Sequence, residues 1–304
     1  MTPNKRDLKA YARFDGTGRI VPGSLVLRRS IPKNGNWKQV QAYECCDGVT
    51  TCTDPLVMTV IPDGQFFEFG MRVNSGNTVK GTIEWGDGTS LPFDFTAVAG
   101  YQYLGHTYPT PDYIPQTVKV YFTSTAGFDN LEIGSGDVVG QVLSVSNLSV
   151  FAGSTIDQVD ADRSLIVSLD VSGLPIQQLY ALECPNLAYL NVQGCTSLSD
   201  TELFSGAFQN LDFSGCSNLE FADVSNNINM DTLVIDDCPF LIYLIANDCN
   251  LTQSNVDYII NTLDNNGLYN GNLYLDGGTN AAPSGASATA LANLISKLWV
   301  VNTN

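Results

Sequence analysis

The sequence of 304 residues has a single histidine, His106, few charged residues and no long apolar run. One imidazole excludes any mechanism that needs a pair of them. Because no stretch of 18 apolar residues is present, nothing predicts a membrane span, and we expect no membrane partner. The first residues, MTPNKRD, lack the apolar core of a secretory signal, so we expect that this chain is not exported by that route.

Catalytic motifs are also missing. The sequence has no phosphate loop, dinucleotide-binding turn, paired-histidine metal site or nucleophile triad. The run 134–136 (GSG) lacks the strand-to-helix context of a nucleotide site and predicts a turn. The acid pairs Asp160/Asp162 and Asp236/Asp237 match no calcium loop; we interpret them as solvated edges, with calcium as the alternative. We therefore expect a protein that is not an enzyme and binds no cofactor or metal.

Bases are scarce, and most of them lie at one end of the chain. Residues 1–54 hold nine bases and five acids, a net charge of +4, whereas residues 55–304 hold five bases and 26 acids, a net charge of −21. A basic segment on an acidic body predicts attachment to an acidic surface, with a domain that is merely basic as the alternative. We expect no nucleic-acid partner for the acidic body. The candidate docking residues are Lys5, Arg6, Lys9, Arg13, Arg19, Arg28, Arg29, Lys33 and Lys38.

Turn residues punctuate the basic segment, 1–54, every few positions. Two β-prone runs lie between them, at 10–14 and 24–28. The segment has too few large apolar residues for a stable core of its own. We therefore expect a β-rich attachment segment that becomes ordered on a partner chain or on its own copies.

Residues 55–125 predict a β-sandwich. Strand-like runs occupy 56–61, 66–73, 79–85 and 117–123, with turn residues between them. Three motifs in this segment resemble the signature of polycystic-kidney-disease (PKD) domains: WGDGT at 85–89, HTY at 106–108 and VKV at 118–120. The resemblance implies a spacer module without catalysis.

Asp87 and His106 of these motifs admit two interpretations. They form either a proton relay or a structural hydrogen bond. Since no nucleophile is specified beside them, we favour the structural hydrogen bond. Asp87-Gly88 also suits a tight hairpin, and Trp85 can fill a small core.

A repeat of 21–22 residues is the strongest pattern in the sequence. Triplets resembling Leu-x-Val begin at positions 148, 169, 190, 211 and 233, and a second series begins half a period later, at 159, 179, 222 and 244. The second series lacks a triplet near 200, where residues 199–204 break the rhythm. The period predicts a leucine-rich-repeat solenoid over 126–250, with each coil burying its leucines against the next. Which series forms the main sheet stays open.

The repeats LDVSG, CPNLAYLNVQGC and LDFSGCSNLEFADVSNN resemble the short leucine-rich repeats of gut Bacteroidota. Residues 251–304 are similar to the closure of those repeats, an α/β cap with helices over 255–264 and 287–297 and strands at 271–275 and 299–301. A solenoid requires a cap because its final coil otherwise leaves apolar surface in water. The predicted fold is therefore mainly β with a few helices.

Five of the eight cysteines share one place in the repeat, five residues after the first residue of a triplet. Leu174 and Asn227 fill this place where cysteine is absent. We expect these thiols to point inward as a structural ladder of small buried groups with weak donors. The ladder consists of Cys184, Cys195, Cys216, Cys238 and Cys249. Cys45, Cys46 and Cys52 have no nearby histidine, and we interpret them as free or packed thiols, with a metal site as the alternative.

The side chains that flank the inward leucines form a candidate ligand face, since neighbours of an inward residue in a strand point outward. Aromatic residues and acids alternate at these positions, which is typical of carbohydrate or protein contact. A surface that merely covers the sheet is the alternative. The candidate face consists of Tyr180, Tyr189, Asn191, Asp212, Phe221, Asp223 and Tyr243.

The segment Lys5–Cys46 resembles the opening segment of structural proteins in crAss-like phages that infect Bacteroides. This resemblance implies attachment to a virion, on either the capsid shell or the tail. We therefore expect a virion head fibre or decoration protein that is homo-oligomeric, contacts other virion proteins and presents its repeats to a host-surface glycan or protein. The alternatives are a tail-associated receptor-binding protein and a bacterial cell-surface adhesin.

Overall fold

The computed structural model describes residues 9–13, 26–28, 37–40, 55–62, 66–74, 76–96, 100–108, 114–133 and 142–304. The chain divides into two compact units, Met1–Cys52 and Thr53–Asn304. The described parts contain 22 strands in several sheets and two α-helices. This confirms the prediction of a mainly β chain with a few helices.

The first unit contains a three-stranded antiparallel sheet. Its strands are β1 (Lys9–Arg13), β2 (Val26–Arg28) and β3 (Trp37–Val40). The central strand is β1, which pairs with both others. The two β-prone runs of the sequence correspond to β1 and β2. The sequence pattern does not reveal β3, because two polar residues fill the middle of this short run.

The second unit begins with eight strands in two sheets. These strands are β4 (Leu56–Val60), β5 (Phe66–Val73), β6 (Thr78–Glu84), β7 (Ser90–Thr96), β8 (Gly100–Thr107), β9 (Gln116–Ser124), β10 (Phe128–Glu132) and β11 (Val142–Ser146). A five-stranded sheet has the order β11-β4-β9-β6-β7, while β10, β5 and β8 belong to a ten-stranded sheet. The two sheets pack against each other, since the ring centroids of Phe122 on β9 and Phe128 on β10 are 5.8 Å apart.

Four of these strands, β4, β5, β6 and β9, lie where the sequence predicts them. The sequence does not predict β7 and β8, which lie at the edges of the two sheets. An edge strand needs few buried side chains and tolerates proline, so its apolar alternation is weak. Accordingly, β7 buries only Phe93 and β8 only Leu104.

The hairpin between β6 and β7 is held by a network around Asp87. The Trp85 N–H donates to the Thr89 carbonyl at 3.1 Å, while Asp87 accepts hydrogen bonds from the Thr89 hydroxyl at 2.6 Å and His106 Nε2 at 2.8 Å. Burial opposes ionisation of Asp87, but the hydrogen bonds from Thr89 and His106 outweigh it and lower the pKa of Asp87 to about 2. The His106 ring also stacks on Trp85, with centroids 5.0 Å apart. His106 thus makes the structural hydrogen bond that the sequence favours.

Between residues 158 and 245, all described, the chain forms nine strands of three residues. They are β12 (Gln158–Asp160), β13 (Ser168–Asp170), β14 (Gln178–Tyr180), β15 (Tyr189–Asn191), β16 (Asp200–Glu202), β17 (Asn210–Asp212), β18 (Phe221–Asp223), β19 (Thr232–Val234) and β20 (Tyr243–Ile245). The even-numbered strands pair in parallel and in register, beginning on β10. The odd-numbered strands form only the pairs β13–β15 and β17–β19. The second series of triplets is therefore the one that forms the main sheet.

The main sheet continues through residue 200, where the sequence pattern predicts a break. Strand β16 fills the slot, with Thr201 at the inward position and 0% exposed. The Thr201 hydroxyl donates to the Leu179 carbonyl at 3.1 Å. The predicted break is wrong because a threonine whose hydroxyl has a backbone acceptor can be buried in place of a leucine.

A residue in the left-handed region of φ lies four positions after the central residue of each strand from β12 to β20. These residues are Arg163, Gly173, Glu183, Gly194, Ser205, Gly215, Asn226, Asp237 and Asp248. The backbone bends at this residue, and the following residue, five positions after the central residue of the strand, points into the interior. A residue with a Cβ is strained at such a φ, whereas glycine is not.

The five ladder cysteines occupy that interior place, and all are buried free thiols. Each faces a backbone carbonyl of the preceding repeat in its series; Cys184 Sγ lies 3.1 Å from the Ala161 oxygen and Cys238 Sγ lies 3.2 Å from the Phe213 oxygen. Asn227 donates to the corresponding Leu203 carbonyl at 2.9 Å. Burial raises the pKa of the Cys238 thiol to about 12, as it does for Cys216 and Cys249, so these thiols are unreactive. The other three cysteines lie outside the described residues.

The C-terminal region extends the main sheet by two strands and adds two helices that contact each other; α1 also contacts β19, and α2 contacts β22. The elements are α1 (Gln253–Asn266), β21 (Asn272–Leu275), α2 (Ala288–Ser296) and β22 (Val300–Thr303). Thr252 caps α1 by accepting from the Asn255 N–H, and Gly267 ends it at φ 74°. All four elements lie where the sequence predicts them. Neither α-helix in the described part of the chain has the length and apolar character to cross a bilayer.

We predict that Gly215→Ala lowers the free energy of unfolding by about 1 kcal/mol, because alanine is strained at the φ of 80° found there. A Cβ on Gly215 meets no atom within 4 Å, so no steric clash adds to the backbone strain. Urea unfolding of the full chain measures the change.

The matched control is Gly285→Ala, where a Cβ also meets nothing and φ is not positive. Its unfolding free energy should stay the same or rise slightly. Equal effects of the two substitutions would refute the role assigned to the left-handed residues.

Candidate binding face

The ten-stranded sheet runs through both halves of the second unit, in the order β22-β21-β20-β18-β16-β14-β12-β10-β5-β8. One of its faces packs on the core through inward residues such as Met71, Leu131, Val159, Leu179 and Leu244. Because neighbouring strands are in register, the residues on either side of these inward positions form two straight rows across the outer face.

The first row crosses all ten strands. From β8 to β22 it consists of Tyr101, Arg72, Asn130, Gln158, Gln178, Asp200, Phe221, Tyr243, Asn272 and Val300. The second row lies two residues further along each parallel strand. In the same order it consists of Tyr103, Gly70, Glu132, Asp160, Tyr180, Glu202, Asp223, Ile245, Tyr274 and Asn302.

Aromatic side chains group at two places on this face. Tyr101 and Tyr103 stack with ring centroids 6.3 Å apart and are 46% and 53% exposed. Six strands further on, Phe221 and Tyr243 lie 5.2 Å apart, and Tyr243 and Tyr274 lie 6.0 Å apart. Both groups leave part of their ring surface exposed on the outer face.

Between the aromatic groups lies a band of half-buried carboxylates, which we call the acidic strip. It consists of Glu132, Asp160, Asp162, Asp200, Glu202 and Asp223. Burial is the main cause that raises the pKa of Glu132, Asp160, Asp200 and Glu202. For Asp162 burial raises the pKa to about 7, with the neighbouring carboxylates of Asp160 and Glu202 adding to the shift. The sequence interpretation of Asp160 and Asp162 as solvated edge residues is therefore wrong.

Few bases lie near the acidic strip in the described part of residues 55–304, and the charge of Arg163 opposes but does not outweigh the effect of burial on the pKa of Asp162. Arg72 pairs with Asp129, and Arg163 pairs with Glu183 at 3.2 Å. Lys297 pairs with Asp264 at 2.6 Å on the helices. The two other bases, Lys80 and Lys119, belong to β6 and β9 of the five-stranded sheet.

Three acceptor oxygens on this face are buried without a hydrogen-bond donor from the described residues. They are Asn130 Oδ1, Glu132 Oε2 and Asp200 Oδ1. Asn130 is only 1% exposed, and its Nδ2 donates to the Tyr101 hydroxyl at 3.2 Å, which leaves its oxygen directed away from Tyr101. Leaving a buried acceptor without a donor costs free energy, which a hydrogen-bond donor from another molecule would recover.

The structure brings four of the seven candidate ligand-face residues together on the ten-stranded sheet: Tyr180, Phe221, Asp223 and Tyr243. The other three, Tyr189, Asn191 and Asp212, lie on β15 and β17 of the separate ladders.

Asn191 and Asp212 have a structural function in these ladders. Each side chain accepts the backbone N–H two residues later, at 3.1 Å from Gln193 and 2.8 Å from Ser214. Such turns end the strand and start the bend. For Asp212 the spacing Asp-x-Ser is the sequence signal for this function, and Asp223 shows it as well, toward Ser225, whereas Asn191 makes the same turn without a serine.

Several residues of the face are not among the sequence candidates. Glu132, Tyr101 and Tyr103 come from strands outside the repeats, so the repeat period carries no information about them. Asp200 and Glu202 flank Thr201, and because threonine is polar, the apolar pattern of the sequence shows no triplet at this place. Tyr274 belongs to β21, beyond the last repeat.

The nine candidate docking residues lie in the other unit. Lys9, Arg13, Arg28 and Lys38 belong to β1, β2 and β3. The remaining five lie outside the described residues. Where side chains are described, no group of three or more His, Cys, Asp or Glu residues is placed to hold a metal ion.

No family model, curated protein or solved structure matches the chain.

We predict that Asp162→Asn removes part of the pH dependence of stability. An aspartate whose pKa rises from 3.8 to about 7 on folding binds more protons in the folded state, so it makes the unfolding free energy fall as the pH increases from about 4 to about 7. Asparagine keeps an acceptor for the Leu182 N–H, which now donates to Asp162 Oδ1 at 2.8 Å. Urea unfolding at several pH values between about 5 and 8 measures the difference.

Asp212→Asn is the control, because Asp212 is exposed and accepts a backbone N–H in the same way. The stability of the Asp162→Asn variant should decline less than that of the parent chain as the pH rises. Identical pH profiles for the parent and this variant would show that Asp162 is not desolvated.

Proposed function

We propose that the chain is a non-enzymatic structural protein of a bacteriophage virion, which docks by its N-terminal segment and projects a leucine-rich-repeat domain. The proposal rests on one observation: the net charge changes sign along the chain close to the boundary between the two compact units. The basic segment coincides closely with the first compact unit, Met1–Cys52, and the acidic remainder forms the second. The resemblance of Lys5–Cys46 to virion proteins of crAss-like phages supports attachment through the first unit.

The arrangement of strands supports the proposed domain types. Parallel three-residue strands about 21 residues apart, which bury their central residues in the main sheet, are what a leucine-rich-repeat solenoid requires, and α1, β21, α2 and β22 then act as its α/β cap. The two packed sheets of residues 56–146 and the network around Asp87 support a PKD-like spacer.

We favour attachment to the capsid as a head fibre or decoration protein, with the chain present as a homo-oligomer. A tail-associated receptor-binding protein and a bacterial cell-surface adhesin are the alternatives. The number of copies per purified particle separates the first two, because shell proteins far outnumber tail proteins. A longer gene product with an export signal would favour the adhesin.

We predict that a chain starting at residue 55 is lost from virions, because the proposed attachment segment is missing. A fusion of residues 1–54 to a fluorescent protein should be incorporated. Particles assembled with each chain, purified and analysed by quantitative mass spectrometry, measure the incorporation.

Full-length chain with Asp212→Asn serves as the control and should be incorporated normally, because Asp212 lies in the second unit. Incorporation of the chain that starts at residue 55 would refute attachment through the first unit.

A further inference from the structure

We propose that the acidic strip binds an extended segment of a partner protein that is rich in arginine or lysine. This inference rests on the proposed function, because it takes from that function the assumption that the second unit is presented to a partner. The inference concerns the chemistry of the partner, which the repeat pattern alone leaves open.

Uncompensated charge is the first observation that points to a cationic partner. Six carboxylates lie on or next to five neighbouring strands, β10 to β18. Arg72 pairs with Asp129, while Arg163 pairs with Glu183 and offsets only part of the effect of burial on Asp162, so the strip keeps an excess of negative charge. Carboxylates that are half-buried and close to one another repel, and a ligand that brings positive charge relieves this repulsion.

The hydrogen-bonding character of the strip is the second observation. The oxygens of Asn130, Glu132 and Asp200 identified above are acceptors only, and they have no donor among the described residues. Guanidinium and ammonium groups are donors without acceptors, so they match such a surface. A sugar hydroxyl brings an acceptor along with its donor and does not neutralise a carboxylate. An anionic glycan would be repelled.

Aromatic residues next to the carboxylates are the third observation. Tyr180 lies in the second row directly between Asp160 and Glu202, on adjacent strands. A cation held by either carboxylate therefore lies close to Tyr180, whose ring can add a cation–π contact. The aromatic groups at either end of the strip offer ring surface for the apolar stems of the same side chains.

The dimensions of the strip fit a short peptide. Strands in a sheet lie about 4.8 Å apart, so the distance from β10 to β18 is about 19 Å. An extended peptide rises about 3.4 Å per residue and turns alternate side chains to one side. About six residues therefore cross the strip, and three basic side chains at alternate positions reach it.

The experiment uses a fluorescently labelled peptide of alternating arginine and serine, eight residues long, with binding to the full chain followed by fluorescence anisotropy. We expect the affinity to fall steeply when the salt concentration rises from about 0.1 to about 1 M, which shortens the Debye length from about 10 to about 3 Å. The double variant Asp160→Asn/Glu202→Gln should bind about tenfold more weakly, because it removes two charge pairs.

The matched control is the double variant Asp170→Asn/Asp212→Asn. It changes the net charge by the same amount, but both residues are exposed and lie on β13 and β17, outside the ten-stranded sheet. Its affinity for the peptide should equal that of the parent chain.

Four results would overturn the proposal. The first three are absence of peptide binding at low salt, an equal loss of affinity in the two double variants, and salt-insensitive binding of a neutral oligosaccharide such as maltoheptaose that Asp160→Asn/Glu202→Gln (the strip variant) abolishes and the control variant does not. Salt-sensitive self-association of the full chain that the strip variant abolishes would also overturn it, because the basic segment of a second copy would then be the partner.

Virion incorporation of the strip variant, measured in parallel, separates this proposal from the proposed function. Normal incorporation together with lost peptide binding supports both. Incorporation of a chain that starts at residue 55 refutes attachment through the first unit and leaves the peptide result intact.

Discussion

The main sheet of the second unit depends on backbone hydrogen bonds between segments that lie about 21 residues apart in the sequence. A strand of three residues buries one side chain and cannot be stable alone, so each strand is ordered only by its neighbours on either side. The bends after the strands also depend on neighbouring repeats, since the thiols of Cys184 and Cys238 and the amide of Asn227 face carbonyls of the preceding repeat. The exact in-register pairing follows from these repeated contacts.

Register also creates the outer face. Parallel pairing without shifts places outward residues from successive strands about 4.8 Å apart in straight rows, and thereby gathers carboxylates that are distant in sequence. Gathering these groups costs free energy: the pKa of Asp162 is raised, and the Asn130 side-chain oxygen is buried without a hydrogen-bond donor from the described residues. A surface that served only to cover the sheet would be more stable with neutral or paired residues at these positions.

Strand β10 joins the two parts of the second unit. It pairs antiparallel with β5 and parallel with β12, so the sheet of the first eight strands continues into the repeats. Glu132 on β10 consequently lies beside Asp160 on β12. The candidate face therefore includes residues on both sides of position 126, and neither segment contains the whole of it.

The sequence alone determined the mainly β class, the period, the inward positions, the place of the ladder cysteines and the C-terminal helices. These features could be recognised because apolar residues buried at a fixed spacing form a pattern within a short stretch of sequence. Only the tertiary structure decided which series of triplets forms the main sheet, that Thr201 continues it and that β7 and β8 exist. The tertiary structure also decided which candidate ligand-face residues lie on the same sheet: Tyr180 and Asp223 lie on the ten-stranded sheet, and Asp212 lies on a separate ladder. Strand pairing between distant segments sets these relations, and no local pattern of residues encodes which strands will be neighbours.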